Sequence, residues 1–329
     1  MKRIFIFIIL LSVIIIDPVL AGYQIEKLTD DTPDSKPEWS PDGTKIVFQS
    51  DRSKSADIWV MDYDGGNVKQ LTSNLSLDLY SSWSPDSKSV VFYSSRTGNN
   101  EIWAIDVDGT NIRQLTNNLS WDGNPAWGPD GRIAFTSTRT GNLTIFLMEA
   151  DGSNQVQLTM GEGNGDTPAW SPDGRYLVFA SSRSGDWQLW KMDLETNDYY
   201  QLTNDVHFER APPENVCPNL MAASWSPDGL TIAYHSYSDG NGGIWLMDAD
   251  GTNKTKLVTS SKSDYYSPSW SPDGSKIVFQ GKNNDKDSEL YGSANILVVD
   301  LNKKEKSPLP SGVISIIVLL ALFLLLRKT

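Results

Sequence analysis

The chain has 329 residues, a net charge of −13, two histidines and a single cysteine, Cys217. The acidity argues against a nucleic-acid backbone as partner and reads as a solvated surface. One cysteine rules out an internal disulfide, and two histidines make a histidine-rich metal site hard to build.

Residues 1–21 read as a secretory signal. Lys2 and Arg3 form the basic start, Ile4–Ile16 the apolar core, and Val19-Leu20-Ala21 the small-residue cleavage site. The core is short for a membrane span, so cleavage is expected over retention as an anchor.

Next comes Trp39-Ser40-Pro41-Asp42-Gly43, which the chain repeats. It returns at Trp83, Trp127, Trp170, Trp225 and Trp270, at steps of 44, 44, 43, 55 and 45 residues. A fixed period near 44 means one supersecondary unit stacked six times. The pentapeptide is a turn: Pro presets φ, Asp caps the backbone and Gly accepts a positive φ. Its Trp is expected to be buried between neighbouring units. A β-rich run follows each turn, as in Lys45–Phe48, and a second comes about nine residues later, as in Ile58–Met61. Four of these end in Asp-x-Asp-Gly or Glu-x-Asp-Gly, such as Asp62–Gly65. Those turns look like the first half of a calcium loop, but none has Glu at position twelve, so they read as hairpin turns. A last short strand ends each of the first four units in Gln-Leu-Thr, as in Gln70-Leu71-Thr72, and the fifth in Lys256-Leu257-Val258. Four strands per repeat at this period describe propeller blades. The expectation is an all-β, six-bladed β-propeller over residues 22–306.

The sixth unit lacks its outer strand; its third ends near Asp300, before the charged run Lys303–Lys306. The spare copy is Tyr23–Thr29, so the N-terminal strand is expected to complete the last blade and protect its edge.

These repeats resemble the TolB-type WD40-like (PD40) family, found in the propeller of periplasmic TolB proteins and in the tricorn protease. The resemblance covers roughly residues 23–300. It departs from TolB in the α/β domain that precedes the TolB propeller, which this sequence is expected to lack.

Gly312–Leu326 is apolar apart from Ser315 and is followed by Arg327-Lys328. The run rises only about 22 Å as a helix against a hydrocarbon core of about 30 Å, but from Leu309 it nearly suffices. The basic end favours the cytoplasmic side. Residues 307–329 are therefore expected to be a C-terminal membrane anchor or a sorting signal. The chain reads as exported, held in the cytoplasmic membrane by its C-terminus, with its propeller on the periplasmic or cell-surface side.

Ligands of a propeller usually sit where the central channel opens. Aligned on the Trp, an Asp recurs on that face: Asp34, Asp78, Asp122, Asp166 and Asp264. Four residues after the strand Phe stands an Arg in blades one to four: Arg52, Arg96, Arg139 and Arg183. In blades five and six, Ser238 and Asn283 replace it. Pairing of Asp with Arg across adjacent loops would brace the rim, leaving Asp264, and with it Asp34, as candidate ligand carboxylates. The long step puts an insertion, 204–222, on the same face, with His207, Glu209 and Cys217. His235, the other histidine, opens the neighbouring loop. The candidate binding residues are thus Asp264, Asp34, His207, Glu209 and His235, able to hold a divalent cation or an ammonium group. Four sequons, at Asn74, Asn118, Asn142 and Asn253, mark surface loops.

No Gly-x-Ser-x-Gly or His-Glu-x-x-His motif is present. Propeller lyases that resemble this repeat use several His ligands, which this chain cannot match. The leading reading is a non-enzymatic, membrane-tethered, monomeric propeller that binds protein, peptide or glycan at the cell envelope, with no cofactor. The alternatives are a hydrolase or lyase using rim carboxylates such as Asp264 and Glu209, and a structural envelope component.

Overall fold

The β-branched and aromatic runs lack clean alternation, so a sheet built from them has to be covered on both faces. The computed structural model describes residues 22–30, 33–53, 55–161, 163–204, 222–240, 242–283 and 294–304. These form six antiparallel four-stranded sheets. In blade one the order from the inside outward is Asp34–Trp39, Lys45–Ser50, Asp57–Asp62 and Lys69–Gln70. The next four blades repeat that order, with inner strands Asp78–Trp83, Asp122–Trp127, Gly165–Trp170 and Ala223–Trp225.

Blade six runs Ser263–Trp270, Lys276–Asn283 and Ala294–Lys304, and its outer strand is Tyr23–Lys27. Ile25 pairs with Val299 and Lys27 with Leu297, so the first strand closes the ring. The third strand runs past Asp300, because Tyr23 pairs with Lys304 beyond an irregularity in the register. Charge in that tail does not end the strand, since Lys303 stays exposed and reaches Glu26 at 3.7 Å and Asp300 at 3.4 Å.

Alternate residues of each second strand pack toward opposite neighbours. Ile46 and Phe48 join Val278, Ile296 and Val298 of blade six. Val47, between them, joins Val90 and Phe92 of blade two. The same exchange repeats around the ring, giving six apolar clusters, one at each blade junction. Phe48, Phe92, Phe135, Phe179 and Phe279 are fully buried there, each contributing about 1.5–3 kcal/mol.

The turn behaves as the pentapeptide dictates. Ser40 Oγ donates to Asp42 Oδ1 at 2.6 Å and accepts from Lys45 N at 2.9 Å, while Gly43 holds φ +72°. In the last copy, hydrogen bonds from Ser271 and Ser275 bring the Asp273 carboxyl down to about 2. The Trp is less uniformly buried than expected. Trp39, Trp83 and Trp225 are buried, whereas Trp127, Trp170 and Trp270 are partly open. The Asp-x-Asp-Gly segments are hairpin turns whose carboxylates are used locally. Asn67 donates to Asp62, and Gly66 N to Asp64.

The expected signal segment (residues 1–21), nearly all of the insertion, and the C-terminal run lie outside the described residues.

Candidate functional site

Every inner strand except that of blade five shows the same break in its pairing. The register shifts between Ser35 and Glu38, Leu79 and Ser82, Gly123 and Ala126, Asp166 and Ala169, and Tyr266 and Ser269. The first residue inside each bulge is left-handed without being glycine: Lys36, Tyr80, Asn124, Thr167 and Ser267, at φ between 47° and 54°. Non-glycine residues at positive φ cost energy and concentrate at functional sites. The second residue is Pro37, Pro125, Pro168 or Pro268 in four blades and Ser81 in one. A bulge suits proline, which has no N–H to give the ladder.

The bulged residues line the central channel, which encloses about 310 Å³ and carries five of the six repeat tryptophans, Trp39, Trp127, Trp170, Trp225 and Trp270, on its wall. Among the described residues, only two charged side chains line it, Lys36 and Glu38, both from blade one. Lys36 Nζ stands 4.6 Å from the centre of the Tyr80 ring, a cation–π contact. Glu38 Oε1 accepts from Trp83 N at 3.1 Å and Ser82 Oγ at 3.2 Å. Burial pushes its carboxyl up to about 7, because a charge held away from water is disfavoured.

The position before each Trp also stitches blade to blade. Ser82 Oγ accepts from Trp127 N, Ser224 Oγ from Trp270 N, and Ser269 Oγ from Trp39 N, all at 3.1–3.2 Å. Glu38 fills that role in blade one and adds a charge. Both Glu38 and Lys36 escaped the sequence reading, which looked four to six residues before the Trp. The signal was there: the residue directly before Trp is Glu38 once and Ser82, Ala126, Ala169, Ser224 or Ser269 elsewhere.

The rim pairs form in three blades, and within a blade rather than across adjacent loops. Arg52 bonds Asp34 at 2.6 Å, Arg96 bonds Asp78 at 2.8 Å, and Arg139 bonds Asp122 at 2.6 Å. The three carboxylates are fully buried, and each Arg lies over the Phe of its own second strand. Asp34 is therefore engaged with Arg52, not left over as a ligand carboxylate. Blade four departs. Asp166 accepts from Asn124 at 2.6 Å and Thr136 at 2.8 Å, both of blade three, while Arg183 lies over Tyr199 at 3.9 Å. The sequon residues Asn74 and Asn118 donate to Asp78 and Asp122, so their amides belong to the scaffold.

Asp264 has no Arg, yet it is not left over. Its Oδ1 accepts from Gly242 N at 3.0 Å, and its Oδ2 from Tyr237 at 3.3 Å and Tyr266 at 3.2 Å. Ser238, where Arg would stand, bonds Ser236 instead. Burial raises the Tyr266 hydroxyl above the phenol range, so it stays protonated as a donor. His235 is buried, its ring 4.9 Å from that of Tyr237 and 4.7 Å from that of Tyr266. His207, Glu209 and Cys217 lie outside the described residues. Among the described residues, no group of three or more His, Cys, Asp or Glu side chains could hold a metal ion.

The PD40 family model, described as the TolB beta propeller domain, matches residues 78–221. The Tol-Pal system protein TolB of Francisella tularensis subsp. mediasiatica is 34% identical over 85 residues, which is 26% of this chain and 18% of that protein. The chain thus spans less than a fifth of this curated relative. The structure of TolB from Acinetobacter baumannii superposes with a TM-score of 0.63 at 25% identity, covering 73% of this chain and 57% of that one. A gluconolactonase of Xanthomonas campestris shares the fold alone, with a TM-score of 0.60 at 15% identity over 85% of this chain and 91% of that one. Family match, relative and superposition together support a propeller of the TolB PD40 type.

Proposed function

We propose that the chain is a non-enzymatic binding module of the cell envelope, which takes a short segment of protein or peptide at the mouth of its central channel. The observation that carries this is the ring of bulged residues. Five blades each place one left-handed, non-glycine residue on the channel wall, and those residues are Lys36, Tyr80, Asn124, Thr167 and Ser267. They offer a cation, an aromatic face and two hydroxyls on a rigid scaffold, the Asn124 amide being held by Asp166, and this suits an extended chain with mixed polar groups. Glu38 adds an acceptor on the same channel wall.

The names of the TolB relatives favour an envelope role. We place export in residues 1–21, the propeller in 22–306 and a tether in 307–329, as the sequence suggests. Of the two carboxylates named for a hydrolase or lyase, Asp264 is engaged by Gly242 N, Tyr237 and Tyr266, and Glu209 lies outside the described residues. A photo-crosslinking residue at Tyr80 should capture a discrete partner in native envelopes, and Lys36→Ala should reduce that capture. The same group at Thr255, on an outer strand, should capture none. Equal capture at both positions, or none at Tyr80, would refute a channel-mouth site.

A further inference from the structure

We infer that a second binding site, for a small hydroxylated carboxylate such as a sugar acid, lies in the pocket between blades three and four. The observation is a carboxylate missing from a conserved set of donors within this one chain. The third strand of blade one opens with Asp57, buried, which accepts from Ser53, Ser55 and Gln70 and lies 3.4 Å from Thr72 Oγ1. The third strand of blade two opens with Glu101, also buried, which accepts from Thr116 at 2.6 Å, Asn118 N at 2.8 Å and Asn99 at 2.9 Å. Blade four opens with Gln188, whose amide oxygen accepts from Thr203 at 2.7 Å. In each case the Thr hydroxyl takes a backbone N–H and passes its own proton to the acid or amide.

Blade three keeps the Thr and loses the acceptor. Thr159 takes Ile145 N at 3.0 Å, but among the described residues its hydroxyl proton has no acceptor, although Thr159 is only 5% exposed. Thr144 stands where Asp57 and Glu101 stand, and it is too short to reach; it bonds Thr140 at 2.8 Å. The space left encloses about 180 Å³, lined by Thr140, Asn142, Gln157, Thr159, Met160 and Arg183 among others.

Arg183 has lost its carboxylate as well. Asp166, its expected partner, is held by Asn124 and Thr136. Its Nε still donates to Ser181 Oγ at 3.1 Å, as in the other blades, and its plane lies on Tyr199. No ion pair reaches its guanidinium among the described residues. Two vacated carboxylate positions thus line one pocket, and a ligand bringing its own carboxylate would satisfy donors that the fold has already oriented. The remaining lining is hydroxyl and amide with one thioether, which suits a ligand bearing hydroxyls rather than an apolar acid.

The test is calorimetry on the full chain with glucuronate, glucose and acetate as probes. Glucuronate should bind with a Kd of about 1 mM or tighter, and about tenfold or more tighter than glucose or acetate. Thr144→Glu, which installs the blade-two carboxylate, should abolish binding without lowering the melting temperature. Arg183→Gln should weaken it about tenfold or more, as loss of a charge-assisted pair does. Lys36→Ala, in the channel, should leave it unchanged. Absence of saturable glucuronate binding, equal binding of glucose, or loss through Lys36→Ala with Thr144→Glu unaffected would overturn the assignment.

Discussion

Ile296 N donates to Thr29 Oγ1 at 3.0 Å across 267 residues of chain. The same bond joins Ile58 to Thr72, Ile102 to Thr116 and Leu189 to Thr203 inside single blades. Residues 23–29 therefore occupy in blade six the place that Gln-Leu-Thr occupies elsewhere. Closure uses the repeat's own bond, made between the two ends of the propeller.

Deleting Tyr23–Thr29 should accordingly uncover the third strand of blade six along Leu297–Val299 and remove Leu28 from the cluster it shares with Trp39 and Phe48. A lower melting temperature and concentration-dependent association, seen by calorimetry and light scattering, are expected from a newly exposed edge. Unchanged melting and a monomeric profile would show that the first strand is dispensable.

The rim pairs make a sharper prediction about stability. Asp122 is fully buried and holds both Arg139 and Asn118 at 2.6 Å. Asp122→Ala leaves a half-buried guanidinium without its carboxylate and should cost about 3 kcal/mol in urea unfolding. Asp264→Asn, whose amide oxygen keeps the acceptor for Gly242 N while its NH2 faces phenol oxygens that can accept, should cost only about 1 kcal/mol. Similar costs at the two positions would mean that the paired and unpaired rims are equally structural.

The fold was legible because its signals are local and repeated. Six turns at one period gave the blade count, and short β-rich runs between turns announced the strands. The site was not, for a physical reason. Residues that matter in a repeat protein are those that differ between repeats, and a reading tuned to recurrence passes over them. Glu38, Lys36 and Thr144 each depart from their counterparts at a single position. Asp264 was visible as the carboxylate without an Arg, but its phenol partners are not: Tyr237 comes from a different blade and meets it only in three dimensions.

The third turn shows how a departure can be forced by packing. It reads Trp127-Gly128-Pro129, with Gly where all five other copies have a Ser whose hydroxyl donates to the turn Asp. A Cβ on Gly128 would lie 2.7 Å from the Trp170 indole. Trp170 is fixed there, because its Nε1 donates to Ala126 O at 3.0 Å. Gly128→Ser restores the repeat consensus and should nonetheless destabilise by about 1–3 kcal/mol, the usual cost of overpacking. If denaturant titration instead showed a gain, the indole would have room to move and the glycine would need another explanation.

Glu38 gives a pH dependence opposite in sign to that of an ion-paired carboxylate. Its carboxyl rises from 4.5 to about 7 on folding. Below pH 4.5 both folded and unfolded states hold the proton, and the group contributes nothing to the difference. Between about 4.5 and 7 the unfolded chain releases its proton while the folded one retains it, so stability falls as pH rises. Above about 7 the full penalty is present. The side chain is only partly covered from the channel, so the penalty should be about 1–3 kcal/mol. Glu38→Gln keeps an acceptor for Trp83 N and Ser82 Oγ and removes the charge. It should raise the melting temperature at pH 8, leave it unchanged at pH 4, and flatten the profile between. A variant that is less stable than the parent at pH 8 would mean that the ionised carboxylate is held favourably in the channel, with Lys36, two residues away on the same strand, as the cation that holds it.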